Sequence, residues 1–205
     1  MAERPDLPKH TFAGQDFESA ARARCDALTG GRTEAGSSDA RLFARLVAAR
    51  DVRGELALLG LPPDRLAALY RRHFADFVET AAPRAVSPAV ADAGRLAFTI
   101  AMRDLLLAFR SPDVEGDDAH CLATIIAHAC LRPDHLWRDL GLDGRDDVTH
   151  MLERYFPALV ARNVDGLRWK KFLARELALA TGATPGPAPG CPGCEDFGFC
   201  FPEGR

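Results

Sequence analysis

No charge of one sign dominates the sequence. Its 29 acidic and 26 basic residues leave a formal charge of −3, so no global field favours nucleic acid or an anionic membrane. No apolar run approaches the roughly 20 residues of a membrane span. The opening Met-Ala-Glu-Arg-Pro does not read as a signal peptide, and a cytoplasmic protein with reduced thiols is the expectation. Strand-length alternation that outcompetes helical spacing is missing, as is any internal repeat. Lysine is nearly missing too: Lys9, Lys170 and Lys171 are the only three among the 26 basic residues. Six cysteines allow three disulfides, but that framework suits a small secreted scaffold. A 205-residue chain of 47% hydrophobic composition has its own core to build.

What is present is concentrated at the carboxyl end. Cys191, Cys194 and Cys200 fall within ten residues, with Gly and Pro bending the backbone between them. Thiolates gathered by a tight Cys-x2-Cys turn suit a soft metal or an iron–sulfur cluster. The chain divides accordingly into a loose tail (1–14), a helical domain (15–182), and a Pro/Gly linker with a cysteine tail (183–205).

The body reads as helix throughout. Phe17, Ala20, Ala21, Ala23 and Leu28 permit a helix from Asp16, closed by Gly30, and Thr33 to Ser38 is a short linker. Leu42, Phe43, Leu46 and Val47 repeat at helical spacing. Gly54 interrupts that pattern before Leu56–Leu59 and a stop at Gly60. Pro62 and Pro63 open the next element, with the stripe Leu66, Leu69, Tyr70, Phe74 and Phe77. After a break at Pro83–Pro88, Ser87 and Pro88 start a helix to about Arg110. Its Leu96, Ile100, Leu105, Leu106 and Phe109 make it the strongest core candidate.

Asp117 and Asp118 place negative charge at the start of a buried helix over 117–131. A short helix over 134–140 ends at Gly141, and His135 and Asp139 stand one turn apart on it. A helix over 145–162 is kinked by Pro157, which has no amide hydrogen to donate. The last, over 168–180, holds Trp169, Phe172, Leu173, Leu177 and Ala180 and is capped by Gly182. Thr184 to Gly190 is a stiff, extended lead. The fold class is all-α: a single helical domain of seven to nine helices with an irregular, Cys-rich C-terminal tail.

The tail admits several chemistries. A structural zinc wants four ligands, so three local cysteines need a fourth from the body. A cuboidal iron–sulfur cluster takes one Cys at each of three corners and leaves the fourth metal corner open or exchangeable. Thiol-redox catalysis uses Cys-x2-Cys after a strand and at the head of a helix, a context missing here. Cys25, Cys121 and Cys130 lie in helical patterns, where free Cys packs as a small hydrophobe.

The stretch from Leu167 to Leu173 (LRWKKFL), followed about twenty residues on by Cys191, Cys194, Cys200 and Phe201, resembles the C-terminus of the NifQ family. The segment His135–Leu142 (HLWRDLGL), then Arg145, Tyr155–Leu159 and Asn163, is similar to it as well. The resemblance covers about 117–202. It implies a non-enzymatic molybdenum–iron–sulfur protein of nitrogen fixation that holds a cluster on Cys191, Cys194 and Cys200. Such a protein donates molybdenum to synthesis of the nitrogenase iron–molybdenum cofactor. The cofactor-assembly scaffold and the nitrogenase reductase are the partners it implies.

The family pattern adds a cysteine five residues before the first of these, where this chain has Gly186. Either three thiolates suffice or the site is altered; Cys121, Cys130, His128 and His135 are candidate substitutes. Molybdate is a dianion, and Arg168, Lys170 and Lys171 would attract it and offset cluster charge. On a surface helix the same residues also read as an ordinary solvated face. The alternative function is a helical interaction or structural protein with a zinc-stapled tail, and a thiol oxidoreductase is a third class.

Overall fold

The computed structural model describes residues 11–30, 38–74 and 92–202, with backbone alone for 11–15. Lys9, most of the 1–14 tail, nearly all of the 33–38 linker, Phe77, and the Pro83–Pro88 break with its Ser87–Pro88 helix start lie outside these residues.

Every described element is helical. In order they are α1 (Thr11–Leu28), α2 (Ser38–Asp51), a 3-10 turn (Leu56–Leu59), α3 (Pro63–His73) and α4 (Ala93–Ala108). There follow α5 (Gly116–Ala129), α6 (Leu136–Leu140), α7 (Arg145–Tyr155), α8 (Pro157–Val160) and α9 (Trp169–Thr181). A 3-10 turn (Cys191–Gly193) and α10 (Phe197–Cys200) complete the described residues. Among the described residues there are ten α-helical segments, against the expected seven to nine. Two of the additional pieces are four-residue segments, α8 beyond the Pro157 break and α10 in the tail. Residues 11–14, expected to be loose, form the first turn of α1. The last proline before them is Pro8, so no imino residue blocks the helix there.

The core is organised around α5. Its Cys121, Leu122, Ala123, Ile125, Ile126, Ala127 and Ala129 are all buried, because the helix is apolar around most of its circumference and packs against neighbours on several sides. α2 supplies Phe43, Leu46 and Val47, and α7 to α9 supply Leu152, Tyr155, Phe156, Phe172 and Leu173. Asp117 and Asp118 occupy the first turn of α5, as the dipole favours.

α4 corrects an expectation. Asp92 caps the described helix by accepting a hydrogen bond from the Gly94 amide at 3.2 Å. Leu96 and Ile100 are 52% and 42% exposed, while Thr99, Met102 and Leu106 face the core. The helix lies outside α5 and buries one 3–4 stripe; apolar residues on its other faces made that stripe ambiguous from spacing alone. Ala180, also expected inside, is exposed on the last turn of α9.

Two glycines shape the region that carries the site. Gly141 closes α6 at φ 67°, and a Cβ there would stand 2.1 Å from Ala49 Cβ, so α2 and α6 approach only because the side chain is missing. Gly182 closes α9 at φ 70°, with the Ala183 amide bonded to Ala178 O at 2.8 Å. Among the described residues no helix is long and apolar enough to cross a membrane.

Candidate metal centre

Beyond α9 the chain turns back onto the body. Ala188 is fully buried, and the Gly190 amide donates to Cys130 O at 3.0 Å. A Cβ on Gly190 would lie 2.1 Å from Arg132 O, and one on Gly193 would lie 2.5 Å from Pro133 Cβ. The glycines read as bends in a lead are therefore contact points, where tail backbone is pressed against the loop after α5.

The cysteines follow at once. The Cys191 amide donates to Ala188 O at 2.9 Å and the Cys194 amide to Cys191 O at 2.9 Å, closing the Cys-x2-Cys turn. The Phe197 amide donates to Cys194 O at 3.0 Å, and the Cys200 amide to Asp196 O at 3.0 Å. This single turn of α10 brings the third cysteine back toward the first two. Cys191, Cys194 and Cys200 all line one cavity of about 460 Å³, together with His135, Arg168 and Lys171. Cys191 is buried, and Cys194 and Cys200 are half-buried. All six cysteines are free thiols.

Sulfurs on one tetrahedral zinc sit about 3.8 Å apart, from a bond of about 2.3 Å. Among the described residues no group of three or more Cys, His, Asp or Glu is gathered for a single ion. The three thiols instead stand around a space in the size range of small-molecule pockets, about 300–1,000 Å³. Three soft donors around such a space fit a polynuclear iron–sulfur cargo.

Burial pushes the Cys191 thiol up, and Cys200 and Cys194 push it further, while the Ala188 backbone contact and Lys170 pull it down. Without metal the Cys191 thiol therefore keeps its proton, and a bound metal reverses this by deprotonating its ligand.

The basic residues of α9 divide between two directions. Lys170 is buried, donating to Arg132 O at 2.8 Å and to the Asp139 carboxylate. Asp139 also faces Arg132 Nε at 3.0 Å and Arg50 Nη2 through its backbone oxygen. Arg50 in turn pairs with Glu55 at 2.8 Å. Three cations around Asp139 thus form a buried positive base beneath the tail.

Arg168 and Lys171 turn outward to the tail. Arg168 pairs with Asp196 and stacks over Phe199 at 5.0 Å; Lys171 donates to Cys200 O and stacks over Phe201 at 5.0 Å. Arg175, on the same stripe, pairs with Asp165 at 3.2 Å. Arg168, Lys170 and Lys171 all reach the cavity wall, but Lys170 is committed to Asp139 and they do not share one anion-facing surface.

His135 and Asp139, though one turn apart in sequence, do not pair through their side chains. The turn of α6 sends Asp139 into the body and His135 to the tail, where its Nε2 lies 3.1 Å from Asp196. Of the four candidate substitutes for a fourth ligand, His135 is the one that lines the cavity. Cys130 is fully buried behind Cys191. Cys121 is in contact with Arg72 at 3.9 Å, and His128 is bonded to Thr124 O at 3.0 Å. A Cβ on Gly186 would meet nothing within 4 Å, so this position is open to a side chain. Sequence reasoning missed Glu195, Asp196 and Arg138; the signal available was two carboxylates set directly between cysteines.

The fold and site define a helical protein whose C-terminal thiols share one cation-lined cavity against its body. The NifQ family model matches residues 40–202, body and tail together, and the chain belongs to that family. It is 36% identical over 147 residues to Protein NifQ of Azotobacter vinelandii, covering 65% of this chain and 75% of that one. Over 105 residues it is 44% identical to a Protein NifQ homolog of Sinorhizobium fredii, covering 51% of this chain. The match spans 44% of that relative's length. Protein NifQ of Klebsiella pneumoniae is 39% identical over 85 residues, covering 41% of this chain and 51% of that protein. No solved structure matches the chain.

Proposed function

We propose that this chain is a molybdenum–iron–sulfur carrier, not an enzyme, that donates molybdenum to nitrogenase iron–molybdenum cofactor synthesis in the cytoplasm. The observation that carries the reading is the meeting of Cys191, Cys194 and Cys200 on one cavity wall. Membership in the NifQ family, and with it the link to nitrogen fixation, supports it. The cluster is cargo. Cys191, Cys194 and Cys200 hold its iron, and the positive base of Arg50, Arg132 and Lys170 offsets the negative charge of a thiolate–sulfide core. The cofactor-assembly scaffold and the nitrogenase reductase are the proposed partners, reached where Cys194 and Cys200 open to solvent.

Purification without oxygen tests this. The expected product is a brown protein containing iron, acid-labile sulfide and molybdenum, which passes molybdenum to an assembly scaffold. A colourless protein with stoichiometric zinc would favour the zinc-stapled structural reading. Protein free of both iron and molybdenum overturns the proposal.

A further inference from the structure

Glu195 and Asp196 follow Cys194 directly, and both face cations of the body. Asp196 sits on the Arg168 guanidinium and 3.1 Å from His135 Nε2. Glu195 accepts a hydrogen bond from Arg138 Nη1 at 2.8 Å and lies 3.6 Å from His135 Nε2. Arg168 Nη1 faces His135 Nδ1 at 3.5 Å, which places the ring proton on Nε2, toward the carboxylates. Donors from 135–138 and from the start of α9 therefore converge on anionic oxygens at the edge of the thiol cavity.

These pairs are built to open. Arg138 and Glu195 are 42% and 63% exposed, and Arg168 and Asp196 are each 36% exposed. Pairs this wet contribute little to the fold. Guanidinium and imidazole N–H donors suit a tetrahedral oxyanion as they suit a carboxylate, and a single dianion carries the charge of both carboxylates.

We propose that Arg138, His135 and Arg168 form an entry site for a tetrahedral oxyanion, with Glu195 and Asp196 as built-in stand-ins that the oxyanion displaces. The identity of that oxyanion as molybdate rests on the carrier reading; the site itself does not. In the exchange the Glu195 and Asp196 pairs open and the dianion takes their donors, while Arg138 keeps its contact with Asp134 at 3.3 Å. The carboxylates move to water, and the segment between Cys194 and Cys200 is freed. No covalent bond changes and no electrons move.

The test is equilibrium dialysis of full-length, metal-free protein against molybdate without oxygen, with sulfate as competitor. Arg168→Gln and Arg138→Gln are each expected to weaken binding about tenfold. The double variant Glu195→Gln, Asp196→Asn is expected to tighten it about tenfold by removing the internal competitors. Arg175→Gln, paired outside the cavity with Asp165, should leave it unchanged, and sulfate should compete. In the unaltered protein, molybdate should speed amide hydrogen exchange over 194–200. Equal binding by all variants overturns the inference, as does binding lost in Cys194→Ala but untouched in Arg168→Gln. The titration contains no iron, so it can fail while the carrier reading stands, and it can succeed in a protein that never holds a cluster.

Discussion

The chain places cysteines in two settings, and the contrast between them separates thiols packed in the core from thiols gathered on a cavity. Cys121 and Cys130 belong to α5 and its end, both buried in the central layer. Burial raises both thiols and pushes Cys130 up to about 12, so these sulfurs behave as small hydrophobes. Cys191, Cys194 and Cys200 lie on 23 residues of tail, gathered by two short turns around a cavity. Burial raises Cys191 as well, so what sets the tail apart is not desolvation but company: Cys191, Cys194 and Cys200 line one cavity, and Cys121 and Cys130 do not. A thiol at a seam between two backbones is near others of its kind and within reach of cargo.

The sharpest way to break this contrast is Cys194→Ala beside Cys121→Ala. The first is expected to abolish iron and molybdenum binding with the circular dichroism of the helices unchanged. The second is expected to keep the metal and lose about 1 kcal/mol of stability. A Cys194→Ala protein that loses its helical signal would show the tail to be structural.

Next in size is Lys170→Met, which strips one cation from buried Asp139 and should cost about 3 kcal/mol in a urea titration. Its cause is the body network, so the loss should appear in metal-free protein as well.

A smaller effect concerns pH. Because the folded Cys130 thiol titrates at about 12, above the ordinary value near 8.5, the unfolded chain loses this proton first as pH rises. The contribution is whole below about pH 8.5 and is lost between there and pH 12. Denaturant midpoints should be flat across neutral pH and fall above that point, and Cys130→Ala should flatten part of the fall. Smallest of all is Gly186→Cys. No atom blocks the new side chain, so stability should stay within about 0.5 kcal/mol, while loss of iron to a chelator should slow.

Much of this was legible from residue spacing, for reasons visible in particular helices. α5 was readable because it is apolar on nearly every side, so no choice of face was needed. α4 was misread because Leu96 and Ile100 share its apolar character with Met102 and Leu106, and only the position of α5 decides which pair is covered. The three tail cysteines were readable because backbone turns of a few residues gather them locally. Their surroundings were not. Asp139 meets Arg50 across 89 residues and Lys170 across 31, and no local rule reports such partners. His135 and Asp139 show the limit well, since one helical turn separates them in sequence and the seam with the tail sends them opposite ways.

The approach of Gly190 to Arg132 has a mechanical consequence. The cysteine-bearing strap is pinned at its inner end by a glycine wedged against peptide oxygen, and toward its outer end by partly exposed contacts, Arg138 with Glu195, Arg168 with Asp196 and Lys171 with Cys200 O. The two ends differ in how easily they let go: the wedge lies under the protein's own bulk, whereas Lys171 is partly in water. Peeling should start at Cys200 and run inward, so that Cys191 is the last sulfur to part from whatever it holds.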